Sequence, residues 1–272
     1  MTGVITLAGL HVYPVKSCRG IALEEALVTE TGLEHDREWM VVTPGGRFLT
    51  QRELPRLALV GTRLERRSLW LSAPHAAPLE IPLGHAGAPA SVLVWRDHCA
   101  ALDAGDAAAR WLGDLLEREV RLVRFDATQR RQSDSAWTGP DRAYAQFADG
   151  YAMLAISTAS LDDLNSRLPQ PLPMNRFRPN LVLDGLTPYG EDTLGEFRIG
   201  GQVRLRAVKP CMRCAITTTD QDTGAVDGAE PLRTLKTYRW NARLHGIAFG
   251  QNVIVLAGAG TRLACGMELR PA

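Results

Sequence analysis

Short β-rich runs separated by turn residues fill most of this chain and constrain its fold more than any other feature. The first half contains six such runs, Val4–Val15, Leu23–Thr31, Glu38–Val42, Arg47–Thr50, Leu57–Leu64 and Ser68–Leu71. Turn signals such as Thr31-Gly32 and Pro44-Gly45 lie between them. Many short strands at close spacing favour an antiparallel sheet or a barrel. The stretch from Ala73 to Pro89 is predicted to be irregular, with a strand at Ala90–Trp95 after it.

Two segments have the apolar spacing of amphipathic helices. Asp103–Glu119 carries apolar residues at helical intervals, and Ser157 is a suitable N-cap for a helix over Thr158–Leu168. Further short strands are predicted beyond residue 180, including Ala215–Thr219. A chain of 272 residues is long enough for two domains. We therefore expect a mainly β protein with a few helices, divided into domains 1–125 and 144–272 by a polar linker or loop, 126–143.

Composition and charge exclude several classes of protein. The formal net charge is +1, which gives no overall attraction to nucleic acid or to a membrane surface. The N-terminal residues lack a basic segment before an apolar run, and no apolar run approaches the ~20 residues of a membrane helix. Five scattered cysteines do not resemble a disulfide framework. We expect a cytoplasmic protein without a nucleic-acid or membrane partner.

The segment Lys209-Pro210-Cys211-Met212-Arg213-Cys214 is the sharpest chemical feature. A structural zinc site would need about four ligands, and a second Cys or Cys/His pair at suitable spacing is missing. A redox dithiol favours a helix N-terminus, whereas β-branched residues follow Cys214. A single soft-metal thiolate beside basic side chains is a third interpretation, and two structural cysteines are a fourth. Residues alone leave these alternatives open.

Cations and hydrogen-bond donors recur at predicted strand ends. They are Lys16 and Ser17 in VYPVKSCRG, Arg37 in DREWMVV, and Arg178 and Asn180 in NRFRPNLVLDG. Such groups suit a phosphate or a polar heterocycle. By contrast, Cys18, Cys99 and Cys265 are expected to be structural. The tryptophans Trp39, Trp70, Trp95 and Trp111 follow strand or helix patterns and are expected in the core.

The order of these segments, together with QRELPRLALV, FADGY, EDTLGEFRIGG, KPCMRCAITTTDQDTG, EPLRTLKTYR and FGQNVIVL, is more specific than any of them alone. It resembles the MOSC proteins (molybdenum cofactor sulfurase C-terminal-like) that carry a companion N-terminal β-barrel domain. The layout is similar to that of the amidoxime-reducing component of mitochondria and its bacterial relatives, from about Leu7 to the C-terminus. The resemblance implies an N-terminal β-barrel-like domain followed by a C-terminal MOSC β-barrel domain.

The resemblance also implies a molybdenum cofactor (molybdopterin, Mo), with Cys214 as the metal ligand and catalytic residue. Lys16 and Ser17 match positions that meet the pterin phosphate, and Arg178 and Asn180 match a pair that holds the pterin. The remaining cofactor-binding positions are Arg37, Gly150, Tyr151, Met212, Arg213 and Asn252. This chain departs from the mitochondrial forms at Gly150 and Tyr151, where they have hydroxyl residues, and at Asn252, where they have tyrosine.

An oxidoreductase that reduces N-hydroxylated or N-oxygenated small molecules is the activity that the resemblance implies. Amidoximes, hydroxylamines and N-hydroxylated bases would be its substrates, and electrons would come from a separate ferredoxin, cytochrome or flavoprotein. The alternative is a sulfur carrier or molybdenum-cofactor carrier that uses a cysteine persulfide. A β-barrel interaction module without a metal is a third hypothesis. Asp220 and Asp222 are expected to form a turn, with substrate positioning as the second interpretation.

Overall fold

Strands predominate in the computed structural model, which describes residues 4–85, 87–226 and 228–272. The first half contains, in chain order, β1 (Ile5–Val12), β2 (Ile21–Leu23), β3 (Glu25–Thr29), β4 (Gly32–Leu33), β5 (Trp39–Val42), β6 (Gly61–Glu65), β7 (Ser68–Ala73), β8 (Ala76–Pro82), β9 (Pro89–Val94), β10 (Asp97–Asp103), α1 (Asp106–Leu116) and β11 (Arg121–Phe125). The prediction of a mainly β chain with a few helices is confirmed.

The second half alternates short helices with longer strands. It contains α2 (Ser135–Thr138), β12 (Met153–Ser157), α3 (Thr158–Arg167), β13 (Leu181–Asp184), β14 (Glu196–Ile199), β15 (Val203–Met212), α4 (Leu232–Tyr238), β16 (Trp240–Asn241), β17 (Gly246–Ala257), β18 (Arg262–Ala264) and β19 (Glu268–Pro271). Ser157 caps α3 as predicted, because its hydroxyl accepts a hydrogen bond from the Ser160 amide.

Seven strands close into a barrel in the order β12, β13, β1, β19, β14, β15 and β17, with β17 returning to β12. β1 belongs to this barrel although every other strand in it comes from the second half. Leu10 of β1 lies opposite Leu181 of β13 in an antiparallel ladder. Closure leaves no unpaired strand edge in the barrel, and its interior is filled by buried apolar side chains, including Leu7, Leu10, Leu181, Leu183, Phe197, Leu205, Val253 and Leu269.

The first half packs its own sheets around a second apolar core. One sheet has the order β5, β11, β10 and β9, and another has the order β6, β7 and β8. Helix α1 buries Ala108, Leu112 and Leu116, which are four residues apart and therefore lie on one face. These side chains join the core formed by β5, β7 and β11, and burial of each leucine contributes roughly 1.5–3 kcal/mol.

Three local predictions are wrong. The Ala73–Pro89 segment contains β8, an edge strand that tolerates Pro78 and Pro82 because its outer amides have no ladder partner. Leu57–Leu64 is divided between a 3-10 helix at Pro55–Leu59 and β6. Ala215–Thr219 contains a 3-10 helix at Ala215–Thr218 instead of a strand. There the Thr217 and Thr218 hydroxyls donate to carbonyls three residues earlier, which stabilises the tight turn.

Candidate functional site

A cleft of about 960 Å³ opens at the ends of several strands. Its volume lies in the range of small-molecule and cofactor sites. Every side chain or backbone position that the sequence predicts for the cofactor lines this one cleft, namely Lys16, Ser17, Arg37, Gly150, Tyr151, Arg178, Asn180, Met212, Arg213, Cys214 and Asn252. The fold therefore brings together residues that are separated by more than half of the chain.

Positive charge dominates the wall of the cleft, although the whole chain is nearly neutral. Eight basic side chains line it, Lys16, Arg37, Arg52, Arg96, Arg131, Arg178, Lys209 and Arg213, against three acidic ones, Asp97, Asp134 and Asp149. Three residues of the cleft lining, Arg131, Gln132 and Asp134, come from the polar 126–143 segment. A cleft with an excess of cations attracts anionic ligands.

Cys214 immediately follows β15 and precedes the 3-10 helix at Ala215–Thr218. Its side chain is partly exposed and lines the cleft. The Arg52 guanidinium approaches the thiol, with Nη1 3.6 Å from Sγ. A cysteine sulfur that opens into a cleft is a suitable ligand for a soft metal.

Cys211, the other cysteine of the segment, has a different neighbour. Nη1 of Arg213 lies 3.0 Å from Cys211 Sγ, and Nη2 donates to the Phe177 carbonyl at 2.7 Å. Arg213 thus ties the end of β15 to the chain before β13. Both sulfurs are free thiols, and in the described part of the chain no group of three or more His, Cys, Asp or Glu converges as a metal cage.

Lys16 is buried beneath the cleft and has two partners. Its ammonium donates to the Phe147 carbonyl at 2.8 Å and to Asp149 Oδ1 at 2.6 Å. Burial lowers the pKa of Lys16 below its ordinary value, and the Asp149 carboxylate opposes that shift. Desolvation in the cleft would raise the pKa of Asp149, but the Lys16 ammonium outweighs it and holds this pKa below its usual range. The ion pair therefore favours the ionised form of Asp149.

Arg37 and Arg178 lie on the ring of Tyr13, with guanidinium carbons 4.1 and 4.2 Å from its centroid. Stacking on an aromatic ring compensates in part for placing two cations side by side. Burial lowers the pKa of Arg178 to about 10, and burial also raises the pKa of Tyr13 to about 12. At neutral pH Arg178 is therefore charged and the phenol is neutral, and the buried Asp36 carboxylate lies 2.6 Å from the Arg37 guanidinium.

Asn180 lines the cleft, but its side chain is 1% exposed and its polar atoms are used within the protein. The amide oxygen accepts from the Leu154 amide at 3.1 Å and from Arg37 Nη1 at 3.0 Å. The amide nitrogen donates to the His11 carbonyl at 3.1 Å. Asn180 thus joins β1 to the neighbouring strands and positions Arg37.

The backbone is strained at three of the predicted ligand-binding residues. Ser17, Arg37 and Arg178 have φ angles of 67°, 48° and 55°, in the left-handed region that side chains with a Cβ rarely adopt. Each such residue costs of order 1–3 kcal/mol and persists only where the surrounding structure holds it. Strained residues that line a cleft are typical of a functional site.

Three hydrogen-bonding atoms of the cleft are buried without a partner. They are Tyr151 Oη, Arg178 Nη2 and Arg213 Nε. A buried donor left unsatisfied costs about 1–3 kcal/mol, so an acceptor-rich ligand in the cleft would relieve this cost. A pterin ring and a phosphate offer such acceptors, and the Cys214 sulfur has the chemistry of a soft-metal ligand. The residues present therefore fit the molybdenum cofactor.

Gly150 and Asn252 contribute to the cleft in other ways. A Cβ at Gly150 would meet no atom within 4 Å, so this position leaves space and an accessible backbone. Asn252 donates from Nδ2 to the Lys209 carbonyl at 3.2 Å, where the pairing of β15 with β17 shifts register. Asn252 supports the strand that leads to Cys214.

Arg52, Asp149 and Trp95 line the cleft but were not among the predicted site residues. Arg52 and Asp149 stand in quoted motifs, QRELPRLALV and FADGY, which were the available signals. Trp95 was expected in the core, yet it is 49% exposed at the cleft, because it occupies a hairpin turn. Asp220 forms the expected turn: its Oδ1 accepts from the Asp222 and Thr223 amides.

The fold and the cleft define a two-part β protein with a basic cleft beside a free thiol. The profile described as the MOSC N-terminal beta barrel domain matches residues 4–119, and the MOSC domain profile matches residues 143–268. The chain belongs to the MOSC family that includes the mitochondrial amidoxime-reducing components.

Two curated relatives illustrate the likeness. The chain is 39% identical to mitochondrial amidoxime-reducing component 1 of Mus musculus, over 86% of this chain and 71% of that protein. It is 37% identical to mitochondrial amidoxime-reducing component 1 of Homo sapiens, over 94% of this chain and 80% of that protein. Among solved structures, the YUAD protein from Bacillus subtilis covers 98% of this chain and 94% of its own at 10% identity, with a TM-score of 0.43. None of the helices in the described residues has the length and apolar character to cross a membrane.

Proposed function

We propose that this protein is a molybdenum-cofactor-dependent oxidoreductase that reduces N-hydroxylated or N-oxygenated small molecules. The observation that carries the proposal is the opening of the Cys214 thiol into the same cleft as Lys16, Arg37 and Arg178. A sulfur carrier needs an accessible thiol but no wall of buried cations and unpartnered donors. The names of the relatives, which are amidoxime-reducing components, support the same activity.

The side chains divide into groups that would hold different parts of the cofactor. Lys16 and Ser17 would bind its phosphate, since a buried ammonium and a hydroxyl make charge-assisted hydrogen bonds to a dianion. Arg178, Arg213 and Tyr151 would use their unpartnered atoms on the pterin. The Cys214 thiolate would ligate the metal. Arg37 would stabilise the cofactor phosphate through its charge. Asn180 and Asp36 hold the Arg37 guanidinium in place by accepting hydrogen bonds from it.

The reaction cleaves the N–O bond of the substrate. Two electrons and two protons enter, and the products are the reduced nitrogen compound and water. A molybdenum centre held by Cys214 would supply the two-electron chemistry of this reduction when bound. The protein supplies position and charge: its basic wall keeps the cofactor in the cleft, and Arg52 lies next to the reacting region.

Electrons would arrive from a separate protein, for which a ferredoxin, a cytochrome or a flavoprotein is suitable. The location we propose is the cytoplasm, where a reducing environment keeps the Cys214 thiol free.

Metal and pterin content test this proposal. Wild-type protein and Cys214→Ala should be made in a host that synthesises the molybdenum cofactor, with Cys211→Ala as the matched control from the same segment. We expect near-stoichiometric molybdenum and pterin in the wild type and in the control, and a large loss of molybdenum in Cys214→Ala. Reduction of benzamidoxime with a chemical electron donor should follow the molybdenum content. Wild-type protein that binds no cofactor, or that binds it without reducing any N-hydroxylated compound, would refute the proposal.

A further inference from the structure

Trp95 is a large apolar side chain exposed at the mouth of the cleft. It is 49% exposed and lines the same cavity as Cys214. Three other large apolar side chains are as exposed among the described residues, Val4, Val226 and Trp240, and these do not line the cleft. The Trp95 indole is not among the groups proposed to bind the cofactor.

The backbone conformation at Trp95 is unfavourable for a bulky side chain. Val94 pairs with Asp97 in the β9–β10 hairpin, so Trp95 and Arg96 form its two-residue turn. Trp95 has a φ of 56°. Turns of this kind favour Gly, Asn or Asp at the first position, because bulky side chains are strained at positive φ. Folding alone therefore does not account for tryptophan here.

Contacts on several sides fix the orientation of the indole. Its Nε1 donates to Asp149 Oδ1 at 3.1 Å, and Asp149 is itself held by Lys16. The ring of Phe48 lies 5.2 Å from that of Trp95 at an angle of 57°. An aromatic ring held at its edge, with half of its surface open, is a preformed surface for stacking.

The Arg52 guanidinium lies on the Trp95 ring and shows that a planar group bound there extends to the Cys214 sulfur. Its carbon lies 4.9 Å from the centre of the Trp95 ring, and its Nη1 lies 3.6 Å from Cys214 Sγ. A planar N–C–N group resting on Trp95 thus brings a nitrogen next to the sulfur that would ligate the metal. An amidine has the same planar N–C–N geometry. The Arg52 side chain is exposed and can leave the ring for solvent.

We propose that Trp95 is the substrate platform of this cleft, on which planar aromatic N-hydroxylated compounds stack with their N–O group directed toward Cys214. This inference rests on the proposed function and narrows its substrate class to aryl amidoximes and N-hydroxylated heteroaromatic bases. Small aliphatic amidoximes have no ring to stack on the indole and therefore gain little binding energy from it. Asp149 is a positioning residue that holds the ring by its edge.

Binding of the amidine products separates this inference from the activity. The affinities of benzamidine and acetamidine should be measured by calorimetry on the loaded wild type, on Trp95→Asn and on Trp95→Phe. Trp240→Asn is the matched control, because Trp240 is 51% exposed and lies outside the cleft lining. Aromatic contacts of this kind predict about a 5- to 10-fold weaker binding of benzamidine to Trp95→Asn, and an intermediate loss in Trp95→Phe. The affinity for acetamidine should change less than about twofold in the Trp95 variants, since acetamidine has no ring to stack on the indole.

Kinetics provide the second measurement. In Trp95→Asn the KM for benzamidoxime should rise by about the same factor as the benzamidine Kd, while kcat/KM for acetamidoxime stays near the wild-type value. Equal benzamidine binding in wild type and Trp95→Asn, or a parallel loss for both amidines, would overturn the platform. These outcomes differ from failure of the proposed function, in which the wild type reduces neither amidoxime.

Discussion

Replacement of Asn180 by alanine distinguishes a residue that binds the cofactor from one that builds the site. The side chain makes three hydrogen bonds, two with the neutral backbone groups of Leu154 and His11 and one with the Arg37 guanidinium. A neutral bond contributes about 0.5–1.5 kcal/mol and a charged one about 1.5–3 kcal/mol. Because the site is buried, water does not replace the lost partners. The free energy of unfolding of Asn180→Ala should therefore fall by about 3–5 kcal/mol.

Urea unfolding of cofactor-free protein measures this change directly. The protein should be purified from a host that cannot make the molybdenum cofactor, so that ligand binding does not contribute to stability. Asn252→Ala is the matched control, since this asparagine lines the same cleft but is only partly buried and donates weakly to two adjacent carbonyls. Its unfolding free energy should fall by about 1 kcal/mol or less. If the cofactor-free Asn180→Ala and Asn252→Ala proteins had equal free energies of unfolding, Asn180 would not stabilise the fold, and a role in ligand binding would be favoured instead.

Three further predictions follow from the same region. Trp95→Gly should have a free energy of unfolding about 1 kcal/mol higher than Trp95→Ala in thermal or urea unfolding, because both variants lose the indole contacts and only glycine is unstrained at a φ of 56°; equal stabilities of the two variants would contradict the strain at this turn. Asp149 has a depressed pKa, so the stability from its pair with Lys16 is present above its ordinary pKa and lost only as pH falls through the depressed value. The stability difference between wild type and Asp149→Asn should accordingly stay constant from about pH 7 to pH 5 and shrink below about pH 4; a decline near neutrality would argue against the pair. Tyr13→Phe should lose about 1 kcal/mol of stability through its bond to the Pro179 carbonyl, without losing cofactor, because the ring remains under both arginines; loss of pterin from this variant would give the phenol itself a binding role.

Local features of the fold were predictable because short-range physics decides them. The helical spacing of Leu112 and Leu116 predicts α1 and part of the face that it buries, and the Ser157 N-cap marks the start of α3. The position of β1 in the second-half barrel was not predictable. Its pairing joins Leu10 to Leu181, and no local pattern encodes a partner so distant in the chain.

The candidate site shows the same limit. Lys16, Arg37, Arg178 and Cys214 were found through ordered motifs, and the structure places all of them in one cleft. The packing of two guanidinium groups on one tyrosine requires coordinates, because neither residue spacing nor propensity predicts it. Trp95 was assigned to the core because alternation in β9 suggests a strand residue. The hairpin turn that exposes it became evident only from the pairing of Val94 with Asp97.

Molybdenum K-edge X-ray absorption tests the central claim most directly. The molybdenum that Cys214→Ser retains should have one sulfur ligand fewer than the molybdenum of the loaded wild-type protein, and Cys211→Ser should keep the wild-type coordination. An unchanged number of sulfur neighbours in Cys214→Ser, or the loss of one in Cys211→Ser instead, would contradict the assignment of the metal to this thiolate.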